Sequence, residues 1–532
     1  VLIDSGGNSL LTQGATEQSL VNPWFIALTV MLATFMEVLD TSVANVALPH
    51  IAGNLSQGID ETTWVLTSYL VSNAIVLPMS GWFSSLFGRK RFYMVCVFLF
   101  TLSSFLCGMA PSLTLLVIFR VMQGLGGGAL QPISQAILVE SFPKHKQGMA
   151  MAIFGMGVVL APIIGPTLGG WITDNYSWRW IFFINIPVGA FSILMSSMLL
   201  HDPPYLVRKK LGSGVKIDYI GLGLLGVGLG FLEVVIDEGQ REDWFSSNLI
   251  VASAIVATIC LTLVVFWELR QKEPVVELHL LKERNYAMST FIMFMVGFVL
   301  YGSTVLLPIF LQTLMGYTAT ISGLVLSPGG LAVLVMMPLV GYLVSRFEAR
   351  WMVLFGLVFC SLGMFYMSWF NLNIDYRTAV VARMVQSLGI AFLFVPINAV
   401  AFNFIPKERT GYATGLINLA RNIGGSSGIA FVTTMLARRS QFHQNVLVSH
   451  LTPYNSNYQA MLHGSSQFLL SQGATAPQAQ AQGLLYGMLQ RQSAMLAFVD
   501  AFWLLSVLFI ALVPLIFLMK KTRPHRVEMS GH

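Results

Sequence analysis

The stretch Arg120-Val-Met-Gln123-Gly-Leu-Gly126 recurs as Arg383-Met-Val-Gln386-Ser-Leu-Gly389, an offset of 263 residues. At the same offset Pro143-Lys144-His-Lys146-Gln-Gly148-Met-Ala150 returns as Pro406-Lys407-Glu-Arg409-Thr-Gly411-Tyr-Ala413, and Gly165 meets Gly428. Earlier in each copy, Pro78-Met-Ser-Gly81-Trp82-Phe pairs with Pro338-Leu-Val-Gly341-Tyr342-Leu at an offset of 260. Two long motifs at one ungapped offset are an internal duplication, and self-similarity of this kind is the first thing that limits the possible folds.

The duplicated unit is apolar. The chain has 532 residues, 55% of them hydrophobic and 10% charged, with a mean hydropathy of +0.70. A soluble chain carries about 25% charged residues. Runs such as Phe92 to Ala110 and Phe502 to Met519 are long enough to cross a hydrocarbon core of about 30 Å as helices. Lipid leaves no water to satisfy an open backbone, so such runs are helical. The short alternating segments of a membrane β-barrel are absent from the sequence.

Fourteen spans are expected, the first near Trp24–Leu48 and the last near Ser493–Met519. Loops on one side hold 21 of the 30 Lys and Arg residues, those on the other only six. That bias orients the chain with its basic loops, Arg89-Lys90-Arg91 and Arg208 to Lys216 among them, in the cytoplasm, and both termini with them. The expected organisation is a cytoplasmic segment 1–23, a six-helix half 24–200, two inserted helices within 201–285, a second six-helix half 286–519 with a long outside loop 437–492, and a cytoplasmic tail 520–532. The fold class is an all-α membrane protein of two parallel six-helix halves plus two inserted helices. Parallel repeats are an architecture of secondary transporters, with the substrate site between the halves.

Composition also narrows function. The net charge of +6 is spread over short loops, which is a topology signal and not a nucleic-acid patch. The four cysteines, Cys96, Cys107, Cys260 and Cys360, lie in apolar runs and suggest no disulfide framework. The first 22 residues lack a basic stretch followed by an apolar one, so no cleaved signal peptide is expected. No metal-ligand spacing such as H-E-x-x-H and no phosphate-binding loop of the Walker type occurs in the sequence. An enzyme, a metal site and ATP as energy source are therefore not expected; a membrane receptor or scaffold fits poorly with two equivalent halves and buried charges.

Those charges are the chemical signal. Glu37 and Asp40 stand three residues apart in the first span, on one helix face. A carboxylate in hydrocarbon is costly, so it faces a cavity or a partner. Asp40 is either a proton carrier or half of a fixed ion pair that holds helices together; Glu37 is either a second acid or lies near lipid headgroups or a cationic substrate. Arg120 is the natural counter-charge, since arginine stays protonated in nearly any setting, and Gln123 is one turn away. Arg383 repeats Arg120, whereas Val299 stands near the position equivalent to Asp40. Arg421, flanked by Asn418 and Asn422, either meets anionic substrates or bridges backbone groups. Glu233, in an inserted helix, is expected near the outer surface.

Three further features concern shape. Gly157, Gly165, Gly169 and Gly170 in the fifth span let another helix approach closely, and Pro162 and Pro166 interrupt its hydrogen-bond ladder; a bent, close-packed helix at the interface of the halves is expected. Arg89, after Gly88 and with Lys90 and Arg91, either pairs with Glu140 as a latch that favours one state or serves only as topology signal. Ala437 to Gln492, rich in Gln, Ser and Ala, is expected as a long exterior loop.

The sequence resembles the major facilitator superfamily, in particular its fourteen-helix drug:proton antiporter branch and the EmrB-type permeases, over nearly the entire chain. The resemblance is carried by Leu39-Asp40-Thr41-Ser42-Val43-Ala44-Asn45-Val46-Ala47-Leu48-Pro49, by Gly81-Trp82-Phe83 through Gly88-Arg89-Lys90-Arg91, by Arg120 to Ala129, by Gly157 with Ala161-Pro162 through Gly169-Gly170, and by Trp178-Arg179-Trp180 with Asn185-Ile-Pro187. One departure is the acid usual in the loop motif, replaced in the region of Ser84-Ser85. The resemblance implies proton-coupled efflux of lipophilic drugs or toxic compounds across a bacterial inner membrane, with no cofactor beyond the proton gradient. Asp40 and Arg120, which these motifs cover, are with Glu37 the candidate proton-coupling residues, and Gln123, Asn45, Arg421, Asn418 and Arg383 are the cavity candidates. The resemblance further implies a membrane-fusion adaptor and an outer-membrane channel as partners, with 437–492 as the adaptor surface. A dedicated exporter of one metabolite, fatty acid or siderophore is the alternative.

Overall fold

A computed structural model describes residues 22–203, 218–271 and 274–520. The expected N-terminal segment up to residue 21, the basic loop Arg208 to Lys216, Lys272 and the tail from Lys521 lie outside the described residues.

The described chain is a set of long helices: α1 Pro23–Leu55, α2 Trp64–Phe87, α3 Arg89–Met109, α4 Leu113–Ser141, α5 Gln147–Asn175, α6 Trp180–Leu199, α7 Tyr219–Glu238, α8 Asn248–Glu268, α9 Arg284–Thr313, α10 Ala319–Val344, α11 Ala349–Met367, α12 Tyr376–Asn403, α13 Thr410–Val448, α14 Ser456–Ser471 and α15 Pro477–Ala511. Among the described residues, thirteen helices are long and apolar enough to cross a membrane. The fourteenth expected span, α13, is absent from that group because Asn418, Arg421, Asn422, Ser426 and Ser427 dilute its apolar content. Its 39 residues still reach about 58 Å at ~1.5 Å per residue, and it packs lengthwise on α9.

Helix starts follow local chemistry. Asn22 accepts from Trp24 N at 3.1 Å with Pro23 in the first turn, Ser112 from Leu115 N at 3.4 Å, and Asp375 from Thr378 N at 3.2 Å; each satisfies a backbone donor that the helix leaves open. Within α4 the regular helix breaks at Gly128–Ala129. That Gly-rich turn lies against α2 and α3: a Cβ on Gly126 would stand 2.7 Å from Phe100 N.

Helices α1, α5 and α10 pack side by side, as do α9 with α13 and α2 with α13. The α5–α10 and α2–α13 contacts join elements of the two repeats. At one end they close tightly. A Cβ on Gly81 would lie 2.7 Å from the Gly411 carbonyl, and one on Gly148 would lie 2.7 Å from Gly341 O. These two contacts correspond under the repeat, since Gly148 matches Gly411 and Gly81 matches Gly341. The inserted helix α7 lies on α2 and α13, with α8 outside it.

One expectation is corrected. The stretch 437–492 is not a loop: α13 runs on to Val448, α14 fills Ser456–Ser471, and α15 begins at Pro477. Its Ala, Gln and Leu residues are strong helix formers, and Leu462, Ala481 and Leu485 form a small apolar cluster. Asp500 anchors the extension by accepting from Arg439 at 2.6 Å and pairing with His443 at 2.7 Å. Glu233 stands near the C-terminal end of α7. It is buried between α7 and α13, where Ser426 Oγ donates to it at 2.5 Å.

Candidate functional site

Asp40 sits mid-helix in α1 and is buried. Its Oδ2 receives Arg120 Nη1 at 2.5 Å. Its Oδ1 receives Gln123 Nε2 at 3.0 Å and Asn185 Nδ2 at 2.8 Å. Arg120 is locked in turn: Nε donates to Val65 O at 2.9 Å, Nη1 also reaches Gln123 Oε1 at 2.8 Å, and the guanidinium lies 4.3 Å from the centre of the Tyr69 ring. Helices α1, α2, α4 and α6 thus meet on one ion pair. In hydrocarbon such a pair persists only when nearly every lone pair and proton is satisfied.

Glu37, one turn earlier, takes a different set of partners. It accepts from Tyr69 OH at 3.2 Å, Asn73 Nδ2 at 3.0 Å and Gln131 Nε2 at 2.6 Å. It is buried. Tyr69 connects the two acids, with its hydroxyl on Glu37 and its ring beneath Arg120. Gln131 also accepts from Arg421 Nη2, so Glu37 of the first repeat and Arg421 of the second share one amide. Beyond it, Gln135 donates to Asn398 Oδ1 at 2.7 Å and accepts from Asn418 Nδ2 at 2.5 Å. Phe154 and Phe394 stack next to this seam, with centroids 6.0 Å apart.

The structure therefore brings Asp40, Arg120, Gln123, Glu37, Arg421 and Asn418 into one polar core. Arg383 is apart from it, held by Gln386 Oε1 at 2.7 Å. The position matching Asp40 is Ser303 and not Val299: Gln386 Nε2 donates to Ser303 Oγ at 2.7 Å, as Gln123 does to Asp40. Asn45 is exposed and outside the network. Sequence reasoning missed Tyr69, Asn73, Gln131, Gln135, Asn185 and Asn398 as network members. Their signal was available, since amides and a phenol hydroxyl inside apolar runs need partners.

At the closed end Arg89, reached through Gly88 with its φ of 85°, forms an ion pair with Glu140, both nearly buried. Arg91 is exposed and takes no part. The α5 glycines serve a contact other than the one expected. Cβ atoms on Gly157 and Gly165 would run into Met31 and Ser42 of α1, and one on Gly169 would lie 3.0 Å from Val43. They pack α5 within the first repeat; Gly170 has room for a side chain. Contact with the second repeat falls to Gly148, Gly155 and Ile163 of α5, against α10 and α12. Pro162 and Pro166 lie inside α5, which remains one helix.

Residues 30–429 match the Major Facilitator Superfamily. The chain belongs to that superfamily. Among its relatives is a Haemophilus influenzae protein named multidrug export protein EmrB, 37% identical over 93% of this chain and 95% of its own length. Another is the fatty acid resistance protein FarB of Neisseria gonorrhoeae, 36% identical over 96% of this chain and 98% of its own. The superfamily fold is visible in the likeness to a solved structure of the proton:xylose symporter XylE. That likeness has a TM-score of 0.58 at 15% identity, covering 94% of this chain and 97% of the other. As a superfamily member with thirteen apolar spanning helices among its described residues, the chain is a multi-pass membrane protein.

Proposed function

We propose that the chain is a proton-coupled exporter of lipophilic drugs and toxic compounds, working by alternating access between its two repeats. The observation that carries the reading is the buried Asp40–Arg120 pair inside the membrane, in a chain whose full-length relatives include a protein named for multidrug export. An acid whose only compensation is one arginine and two amides changes its proton occupancy when those partners move. Arg120 holds Asp40 in the closed geometry, and separation of α1 from α4 would break that pair and free the carboxyl to take part in the transport cycle. Glu37 is the second acid, coupled to Arg421 through Gln131 and so to the relative position of the repeats. Gln123, Asn418 and Arg421 line the path that opens when the seam parts.

The contact of Gly81 with Gly411 and of Gly148 with Gly341 supports a state closed at the end that carries the basic loops. By charge bias that end is cytoplasmic, both termini with it, and the membrane is the bacterial inner membrane. The Arg89–Glu140 pair would favour this state. The helical extension 437–492 on the opposite side is the candidate surface for a membrane-fusion adaptor leading to an outer-membrane channel. The name of the FarB relative favours a second reading, a dedicated exporter of fatty acids; competition between chemically unrelated dyes separates the two.

The test is efflux of a lipophilic cationic dye from proteoliposomes under an imposed pH gradient. Wild type should drive it uphill. Asp40→Asn keeps the shape and two of the hydrogen bonds but cannot release a proton. It should abolish gradient-driven movement while dye binding remains measurable. Uphill efflux by Asp40→Asn with an unaltered pH profile would make Asp40 structural and send the proton to Glu37.

A further inference from the structure

The two repeats treat their corresponding arginines differently. Arg120 has a carboxylate on its Nη1 at 2.5 Å. Arg383 is equally buried, yet among the described residues no carboxylate pairs with it. Nη1 donates to Gln386, Nη2 reaches Thr304 Oγ1 only at 3.4 Å, and Nε has no partner; Arg120 also leaves one nitrogen, Nη2, unpartnered, so the difference between the two is the carboxylate. One turn on, Ser387 Oγ is also buried and unpartnered. A Cβ on Gly329 would stand 2.6 Å from that hydroxyl and 3.1 Å from Arg383 Cγ. The hydroxyl and the guanidinium stem therefore border the same glycine of α10. Arg421 differs, because Gln131 links it to Glu37.

An uncompensated cation in a membrane interior is expensive, and such residues mark the route of an ion or substrate. The missing partner is set by Ser303 standing where Asp40 stands in the first repeat. A single guanidinium is neutralised by a single monovalent anion, and its planar fork matches a carboxylate.

We propose that Arg383, with Thr304 and Ser387 beside it, receives the carboxylate of an amphiphilic substrate anion in the second repeat. The inference rests on the export reading above and names one substrate class for it. The site opens when α9, α10 and α12 part during the transport cycle. The carboxylate replaces within the second repeat the charge that Asp40 supplies within the first. Cationic substrates do not use this site.

The purified full chain in nanodiscs, without any gradient, is titrated with decanoate, with decanamide and with tetraphenylphosphonium. Wild type should bind decanoate about tenfold or more tighter than the amide, the scale of a charge-assisted hydrogen bond. Arg383→Gln should level the two while tetraphenylphosphonium still binds. Ser303→Asp places a resident acid beside Gln386. It should fold with a Tm at or above that of wild type and also lose the preference for decanoate, so it decides the matter if Arg383→Gln fails to fold. A wild type with no preference, or a preference that survives in either folded variant, overturns the proposal. Absence of gradient-driven tetraphenylphosphonium movement by wild type would instead count against the export reading, since the binding comparison needs no transport.

Discussion

Gln135 and Asn398 occupy equivalent positions of the two repeats, 263 residues apart, and they hydrogen-bond to each other at 2.7 Å. The axis relating the repeats passes between these two amides. Asn418 adds a second bond across the same seam at 2.5 Å. This part of the polar contact between repeats is made of neutral amides, which can part and re-form without stranding a charge; the bond from Arg421 to Gln131 is the charged part of the same contact.

Gln135→Leu leaves Asn398 and Asn418 each short of a partner in the interior. It should destabilise the closed arrangement by about 1–3 kcal/mol, the cost of a buried unsatisfied polar group. Adding Asn398→Leu should recover part of the loss, because an apolar pair of similar size needs no partner. Thermal unfolding in detergent reads both; a double variant less stable than the sum of the singles would show that the seam depends on more than this pair.

Arg120→Lys keeps the charge next to Asp40 but loses the planar fork that serves Val65 O, Gln123 and the Tyr69 ring together. Pair and stacking contacts of this kind contribute about 1–3 kcal/mol, so gradient-driven efflux should fall roughly ten- to a hundredfold with the protein still folded. Full activity with lysine would mean that only the charge matters.

Closure of the basic-loop end can be tested at two places. Glu140→Ala removes the partner of buried Arg89, and Gly341→Val puts side-chain atoms where Ala152 Cβ and Gly148 O already lie 2.9 Å from a Cβ position. Overpacking costs about 1–3 kcal/mol. Both changes should speed alkylation of a cysteine introduced as Ser85→Cys, whose wild-type hydroxyl lies 3.4 Å from Tyr412 Oη. Unchanged labelling in both would exclude this end as the gate.

Deleting residues 452–475 should abolish drug resistance in cells that supply an adaptor while leaving efflux from proteoliposomes nearly intact, because α13 and α15 can still meet through Arg439, His443 and Asp500. Equal loss in both assays would assign the extension to the permease itself. A tag at Gln467 should be accessible from outside, and tags at the two termini should not.

What the sequence by itself determined was the class of molecule. Span lengths, the charge bias of the loops and the repeat of Arg120-x-x-Gln123 as Arg383-x-x-Gln386 are local or periodic properties, and lipid leaves apolar runs one conformation. The same reading marked Asp40, Glu37, Arg120 and Arg421 because a charge in an apolar run is conspicuous alone. Which groups those charges meet depended on helix rotation and crossing, which no spacing along the chain encodes. Only the packed structure joined Glu37 to Arg421 through Gln131, set Ser303 opposite Gln386 and turned the α5 glycines toward α1. It also made helices of 437–492, where high helix propensity and a small apolar cluster outweigh a polar composition.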